Sequence, residues 1–157
     1  MKTLVLGIGN TLLSDEGIGV HVTQQLQRML PLSDDIEVLD GGTLSFTLAG
    51  PIEEADALIV VDAAQLKSSP GTLKVFEGDE MDAFLLGNRK SSVHEVGLTD
   101  LMSIAMLTGH WPEKRALVAI QPEKVDWGDT PTPHVAAAVP LACNHIQSLI
   151  GNWRNVV

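Results

Sequence analysis

Cysteine and tyrosine are almost missing from this sequence of 157 residues, which has one Cys, Cys143, and no Tyr. A single cysteine cannot form an internal disulfide, and it excludes a zinc site built from several thiolates. This usage is typical of a reducing compartment, so we expect a cytoplasmic protein. Aromatic residues make up only 4% of the chain, so Leu, Ile, Val and Ala are expected to fill the core.

Basic residues are scarce as well. Ten Lys and Arg against twenty Asp and Glu give a formal net charge of −10. Such a surface repels the phosphate backbone of nucleic acid instead of releasing its counterions, so we expect no nucleic-acid partner. The simplest interpretation is a soluble, self-repelling surface, and the charge alone identifies no partner.

Long hydrophobic runs are also missing, and none reaches the length of a membrane span. The N-terminal apolar run is too short for the core of a secretion signal, and Asn10, Asp15 and Glu16 follow it closely. We therefore expect neither a signal peptide nor contact with a membrane. A chain of 157 residues with 45% hydrophobic residues fits one compact domain, residues 1–157, and a monomer.

Short apolar runs bounded by turn residues predict the strands of a sheet that is buried on both faces. These runs lie at 3–8, 36–40, 57–62, 73–77 and 116–120. Helical spacing predicts helices at 17–30, 43–49, 79–86, 97–107 and 135–153, the second ending before Pro51 and the last kinked or delayed by Pro140. The alternation predicts an α/β fold with a single doubly wound, mostly parallel sheet of about five strands and helices on both faces.

Two carboxylates are predicted at one edge of this sheet. Glu16 follows the first strand, and Asp62 is the last residue of the third. Ligands of an open parallel sheet bind beyond the carboxyl ends of the strands, where the crossovers diverge. Asp62 closes an otherwise apolar run, so its ionised form would gain from a cation or a charged donor. The alternative is structural, with Asp62 capping a loop and Glu16 placed at a helix N-terminus.

A histidine supplies a possible third group. His94 lies in a polar loop just before the helix predicted at 97–107, although a lone loop histidine indicates little. Two carboxylates and one imidazole would form an open site that accepts nickel, zinc or a related divalent ion, with positions left for substrate or water. The other histidines are interpreted as surface or packing residues: His21, His110, His134 and His145.

The opening glycines also resemble the start of a dinucleotide-binding fingerprint, and Asp40 lies near its ribose-binding position. However, Leu12 stands where the third glycine is required. Asp15 and Glu16 place negative charge at the helix start that would have to bind the pyrophosphate. The Gly-x-Ser-x-Gly elbow, the His-Glu-x-x-His pair and the Walker lysine do not occur.

The segment 7–19, GIGNTLLSDEGIG, resembles the opening signature of the nickel-iron hydrogenase maturation endopeptidases. Further blocks agree with that family in the expected order, at 40–43, 60–63, 92–95 and 120–123, with Gly128 and Pro133 beyond them. The resemblance covers the chain from about residue 3 to about residue 139.

Members of this family remove a short C-terminal extension from the hydrogenase large subunit after nickel has been inserted. The resemblance implies a peptide-bond hydrolase of the aspartic type whose partner is the nickel-loaded large-subunit precursor. It places Glu16, Asp62 and His94 on the positions of the family's metal-binding triad, as metal ligands and as catalytic groups. Nickel would arrive in the substrate, and zinc or cadmium could occupy the site in vitro.

The resemblance also places Asp40, Gly41 and Gly42 on a block that lines the substrate cleft. Three alternatives stay open at this point. The chain could be a metal-binding maturation chaperone of the same fold without peptidase activity, a nucleotide-binding α/β enzyme, or a general aminopeptidase.

Overall fold

The computed structural model describes residues 1–30, 33–42, 46–88 and 97–155. Five strands lie in these ranges: β1 (Thr3–Ile8), β2 (Ile36–Gly42), β3 (Ala57–Ala63), β4 (Leu73–Glu77) and β5 (Lys114–Ile120). They form one sheet in the order β2-β1-β3-β5-β4, in which β4 pairs antiparallel and the other neighbours pair parallel. This confirms the predicted, mostly parallel five-stranded sheet.

Helices connect the strands and follow the last one: α1 (Ile18–Met29), α2 (Ala49–Glu54), α3 (Asp79–Gly87), α4 (Leu98–Leu107), α5 (Pro133–Ala136) and α6 (Ala138–Asn155). Short 3-10 turns precede two of them, Ser14–Gly17 before α1 and Phe46–Leu48 before α2. None of the helices in the described ranges has the length and hydropathy needed to span a membrane.

Successive residues of the central strands enter two different hydrophobic cores. Val5 and Ile59 lie in one core with residues of α1 and α6. Leu4 and Leu58 lie in the other, with residues of α2, α3 and α4. The apolar runs of β1 and β3 are continuous because both faces of these strands are covered. Helices on both faces confirm the doubly wound α/β architecture.

The crossovers diverge between β1 and β3. Helix α1 leads from β1 to β2 on one face, and α2 leads from β2 to β3 on the other. Strands β1 and β3 are hydrogen-bonded neighbours, with Gly7 opposite Val61 near their carboxyl ends. The point at which open α/β sheets bind ligands therefore lies beyond Gly7 and Val61.

Two prolines show how the helices begin. The prediction that the second helix ends before Pro51 was wrong, because Pro51 is the third residue of α2. Amide groups in the first helical turn have no partner inside the helix, so proline costs little there. The last predicted helix is divided at Ala137, and Pro140 lies in the first turn of α6 for the same reason.

Candidate active site

The connection between β1 and α1 carries Glu16. A single 3-10 turn, Ser14–Gly17, contacts β3 and holds Glu16 in a half-buried position. The amide of Glu16 donates a hydrogen bond to the carbonyl oxygen of Leu13 at 3.1 Å. Glu16 thus lies at the carboxyl edge of the sheet, in a turn of its own just before α1.

The glycines of the opening segment allow this turn to approach the sheet closely. A Cβ atom at Gly9 would lie 1.9 Å from the carbonyl oxygen of Glu16, and one at Gly19 would lie 2.2 Å from the carbonyl oxygen of Val61. A Cβ atom at Gly7 would lie 2.5 Å from the carbonyl oxygen of Gly19. Only glycine fits such contacts. These glycines have a packing role that requires no phosphate ligand, which weakens the dinucleotide interpretation.

Asp62 lies on β3, one residue before its end. It pairs with Ala119 of β5 and is half-buried. Its neighbour Val61 pairs with Gly7 at the end of β1, and Glu16 packs its main chain against Gly9 just beyond that strand. The structure therefore brings Asp62 and Glu16 to the same edge of the sheet, at the ends of adjacent strands.

His94 lies outside the described residues, in the segment 89–96 before α4. Within the described ranges, no three His, Cys, Asp or Glu side chains form a group able to hold a metal ion. That search did not include His94, so the predicted triad stays a prediction. The two carboxylates present at this edge are oxygen donors of the kind that divalent ions accept.

The block 40–42 lies at the end of β2, and two of its three residues line a pocket. The pocket has a volume of about 300 Å³ and is lined by Gly9, Asn10, Thr11, Val20, Asp40 and Gly42. One carboxylate oxygen of Asp40 accepts a hydrogen bond from the amide of Gly42 at 2.8 Å. Gly41 is not among the lining residues. It faces Leu6, whose Cδ1 atom would lie 2.9 Å from a Cβ at this position.

Asp15 has a structural role beside the site that the sequence did not indicate. Its side chain is fully buried. Its carboxylate accepts hydrogen bonds from the amides of Glu123 at 2.9 Å, Lys124 at 2.8 Å and Thr132 at 2.7 Å, and from the Thr132 hydroxyl at 2.8 Å. Burial raises the pKa of Asp15, but these four hydrogen bonds outweigh it and hold the pKa below its ordinary value.

The loop after β5 is fastened along the turn that carries Glu16. The amide of Ser14 donates to the carbonyl oxygen of Gly128 at 2.8 Å, and its hydroxyl donates to the carbonyl oxygen of Asp126 at 2.8 Å. Ser14 has a φ of 54°, in the left-handed region that non-glycine residues rarely adopt. Such strain persists only where surrounding contacts over-determine the backbone, as they do here.

The remaining histidines and the cysteine have other surroundings. His110, His134 and His145 are exposed, and His21 is half-buried on α1, in agreement with the predicted surface or packing roles. Cys143 is buried, and burial raises the pKa of its thiol. A buried, protonated thiol is a poor nucleophile.

Comparisons with known proteins identify the family of this chain. The profile of the hydrogenase maturation protease family (HycI) matches residues 20–149. The hydrogenase 2 maturation protease of Escherichia coli K12 is 39% identical over 147 residues, which cover 93% of this chain and 88% of that protein. The hydrogenase expression/formation protein HupD of Rhizobium leguminosarum bv. viciae is 39% identical over 153 residues, covering 97% of this chain and 75% of HupD.

Solved structures that superpose on this chain belong to the same family. The hydrogenase maturating endopeptidase HybD of E. coli superposes with a TM-score of 0.89 at 37% identity, over 97% of this chain and 93% of HybD. A hydrogenase 2 maturation peptidase from a Thaumarchaeota archaeon superposes with a TM-score of 0.72 at 28% identity, over 96% of this chain and 99% of that one. By sequence and by structure, this chain belongs to the hydrogenase maturation protease family, whose members hydrolyse peptide bonds.

Proposed function

We propose that this protein is an endopeptidase that removes the C-terminal extension of the nickel-iron hydrogenase large-subunit precursor after nickel insertion. The observation that carries the proposal is the position of Glu16 and Asp62, which lie at one edge of the sheet on adjacent strands. Family membership supplies the reaction class, and this edge is where an open α/β sheet binds its substrate.

In this proposal Glu16, Asp62 and His94 bind the nickel that the precursor already carries. The donor set suits a divalent ion, since it combines two carboxylates with an imidazole and leaves positions open. When bound, the nickel would draw electron density from the scissile carbonyl. Contact with the ion would also report that the precursor is loaded, so that cleavage follows nickel insertion.

One of the nickel-binding carboxylates also acts in the hydrolysis itself. One of the carboxylates, Glu16 or Asp62, accepts a proton from the attacking water and returns it to the leaving amine. Both side chains are half-buried, which limits competing solvent around them. Asp40 and Gly42 line the adjacent pocket and would contact the bound peptide.

The proposal also includes the compartment, the oligomeric state and the domain organisation of the protein. We expect a cytoplasmic monomer with a single catalytic domain. The support is the composition, with one buried cysteine and a net charge of −10 that opposes self-association.

Three alanine variants test the proposal: Glu16→Ala, Asp62→Ala and His94→Ala, each incubated with nickel-loaded precursor and followed by mass spectrometry. We expect each variant to fold, by circular dichroism, and to produce no shortened large subunit on the time scale of the wild type. His110→Ala is the matched control, because His110 is exposed and lies beyond the end of α4.

Other outcomes would contradict the proposal in identifiable ways. Wild-type protein that binds the precursor without shortening it would be a maturation chaperone. Rapid cleavage of short free peptides would indicate a general aminopeptidase. Tight nucleotide binding in calorimetry would favour the nucleotide-binding alternative.

A further inference from the structure

Three large apolar side chains are exposed in the loops that follow β1 and β5 at the carboxyl edge of the sheet. Leu12 is 57% exposed, Val125 is 51% exposed and Trp127 is 77% exposed. Leu12 precedes the turn that carries Glu16, and the other two lie in the loop after β5. Tryptophan is highly buried on average in folded proteins, and it is one of the residues enriched among the binding hot spots of interfaces.

We call the side chains of Leu12, Val125 and Trp127 the apolar strip, because the two loops that carry them are hydrogen-bonded to each other. The amide of Gly128, next to Trp127, donates to the carbonyl oxygen of Leu12 at 2.9 Å. Leu13 and Gly128 form an isolated parallel bridge, so Leu12 and Trp127 flank the same paired segment. The amides of Glu123 and Lys124, just before Val125, are bound to the Asp15 carboxylate.

Hydrogen bonds fix the position of the backbone on both sides of Val125 and Trp127. The hydrogen bonds of Asp15 and Ser14 fix the loop at both sides of Val125 and Trp127. The backbone of this loop therefore cannot move far without breaking hydrogen bonds to a fully buried carboxylate. A surface whose backbone is already fixed by hydrogen bonds loses less conformational entropy on binding.

We propose that the apolar strip is the docking surface for the large-subunit precursor, an inference that rests on the proposed function. The strip is continuous with the candidate active site, because Leu12 and Glu16 belong to one short connection between β1 and α1. Trp127 lies beside this connection, because the amide of the next residue, Gly128, donates to the carbonyl oxygen of Leu12.

The charged residues around the apolar strip indicate which kind of precursor segment would bind there. The loop 121–132 contains three exposed acidic residues, Glu123, Asp126 and Asp129, and a single basic residue, Lys124. An occupant that carries basic residues beside its apolar side chains complements this border. A second copy of this chain fits poorly, since its net charge of −10 would meet like charge.

The test measures equilibrium binding of nickel-loaded precursor in a Glu16→Ala background, where cleavage does not consume the complex. Trp127→Ala should weaken binding by at least about tenfold, because the indole is the largest exposed apolar group of the strip. Trp127→Phe, which keeps an aromatic ring, should restore most of the affinity. Raising the salt concentration should weaken binding of the protein with Trp127 intact.

Leu107→Ala is the matched control. Leu107 is 87% exposed but ends α4 at the opposite edge of the sheet, from which β5 starts. Its replacement should leave precursor binding within about twofold of the parent. Circular dichroism and thermal unfolding of each variant show whether a loss of affinity reflects a loss of fold.

Two results would overturn the docking surface. If the Trp127→Ala variant binds the precursor as tightly as the parent, the indole is not a contact of the precursor and the proposal is wrong. A dimer in sedimentation that Trp127→Ala dissociates would make the strip a self-association interface. Failure of the proposed function has a separate signature, which is wild-type protein that binds nickel-loaded precursor through Trp127 and never shortens it.

Discussion

Asp15 and Thr132 lie 117 residues apart in the chain and are joined by two hydrogen bonds. The amide of Thr132 donates to one oxygen of the Asp15 carboxylate at 2.7 Å, and its hydroxyl donates to the other at 2.8 Å. This pairing ties the loop before α5 to the turn that carries the adjacent Glu16. The position of the proposed catalytic carboxylate thus depends on a residue near the other end of the chain.

Replacing Asp15 by Asn should lower the free energy of unfolding by about 1–3 kcal/mol. The amide group of Asn offers one oxygen where the carboxylate offers two, so it must place its NH₂ against a backbone amide that also donates. Chemical denaturation followed by circular dichroism measures the change. Asp34→Asn, at an exposed turn, is the control and should unfold like the wild type. Equal stability of the two variants would mean that the hydrogen bonds of Asp15 contribute nothing.

The same carboxylate predicts a pH dependence of stability. The folded pKa of Asp15 lies below its ordinary value of 3.8, so the ionised group stabilises the fold at higher pH. That contribution is lost as the pH falls from about 3.8 through the lower folded pKa. We expect the wild type to lose stability more steeply than Asp15→Asn in this acid range. Parallel acid unfolding curves for the two proteins would contradict this assignment.

Charge-neutral variants of the proposed catalytic carboxylates should separate chemistry from packing. Glu16→Gln and Asp62→Asn keep the shape of each side chain and remove its charge. Each should slow cleavage of nickel-loaded precursor by at least about 100-fold, the range attributed to general acid–base catalysis. The measurement is the rate of appearance of the shortened subunit. Glu80→Gln, exposed on α3, should cleave at the wild-type rate.

Nickel bound to the precursor should increase the rate at which the precursor is cleaved. Because the proposed triad binds the ion of the precursor, nickel-free precursor should be cleaved at least about tenfold more slowly than loaded precursor. His94→Ala should reduce this difference as well as the rate. Mass spectrometry of parallel time courses gives both values. Cleavage of the two precursors at the same rate would show that the protein does not recognise the bound nickel.

Two glycine-to-alanine substitutions should change the free energy of unfolding in opposite directions. A Cβ atom at Gly19 would lie 2.2 Å from the carbonyl oxygen of Val61, so Gly19→Ala should destabilise the fold by about 3 kcal/mol. A Cβ atom at Gly151, inside α6, meets nothing within 4 Å, so Gly151→Ala should stabilise it by about 0.5–1 kcal/mol. Thermal unfolding measures both changes. A tolerated Gly19→Ala would mean that α1 can move away from the sheet.

Much of the fold could be predicted because its strands are buried on both faces. The predicted strand at 3–8 coincides with β1, and the one at 57–62 differs from β3 by one residue. A continuous apolar run between turn residues has few other solutions in a protein of this size. The position of Glu16 and Asp62 at one edge followed from the same topology.

The role of Asp15 could not be predicted, because its hydrogen-bond partners lie 108 to 117 residues away and leave no local pattern. Locally, an acidic residue before a helix indicates a favourable charge at the N-terminus, and nothing distinguishes Asp15 from Glu16. Gly41 is not among the residues that line the pocket, and its predicted place in the substrate cleft stays a prediction. The third group of the site, His94, stays a prediction.

The fastening of the 121–132 loop to the first turn has a consequence for synthesis of the protein. A ribosome that has made only the first hundred residues has produced Glu16 and Asp62, but none of the partners of Asp15 and no β5 to fill the place between β3 and β4. Folding must wait for contacts of long sequence separation, which form slowly. The turn that carries Glu16 and the centre of the sheet can therefore be completed only after the final third of the chain has been made.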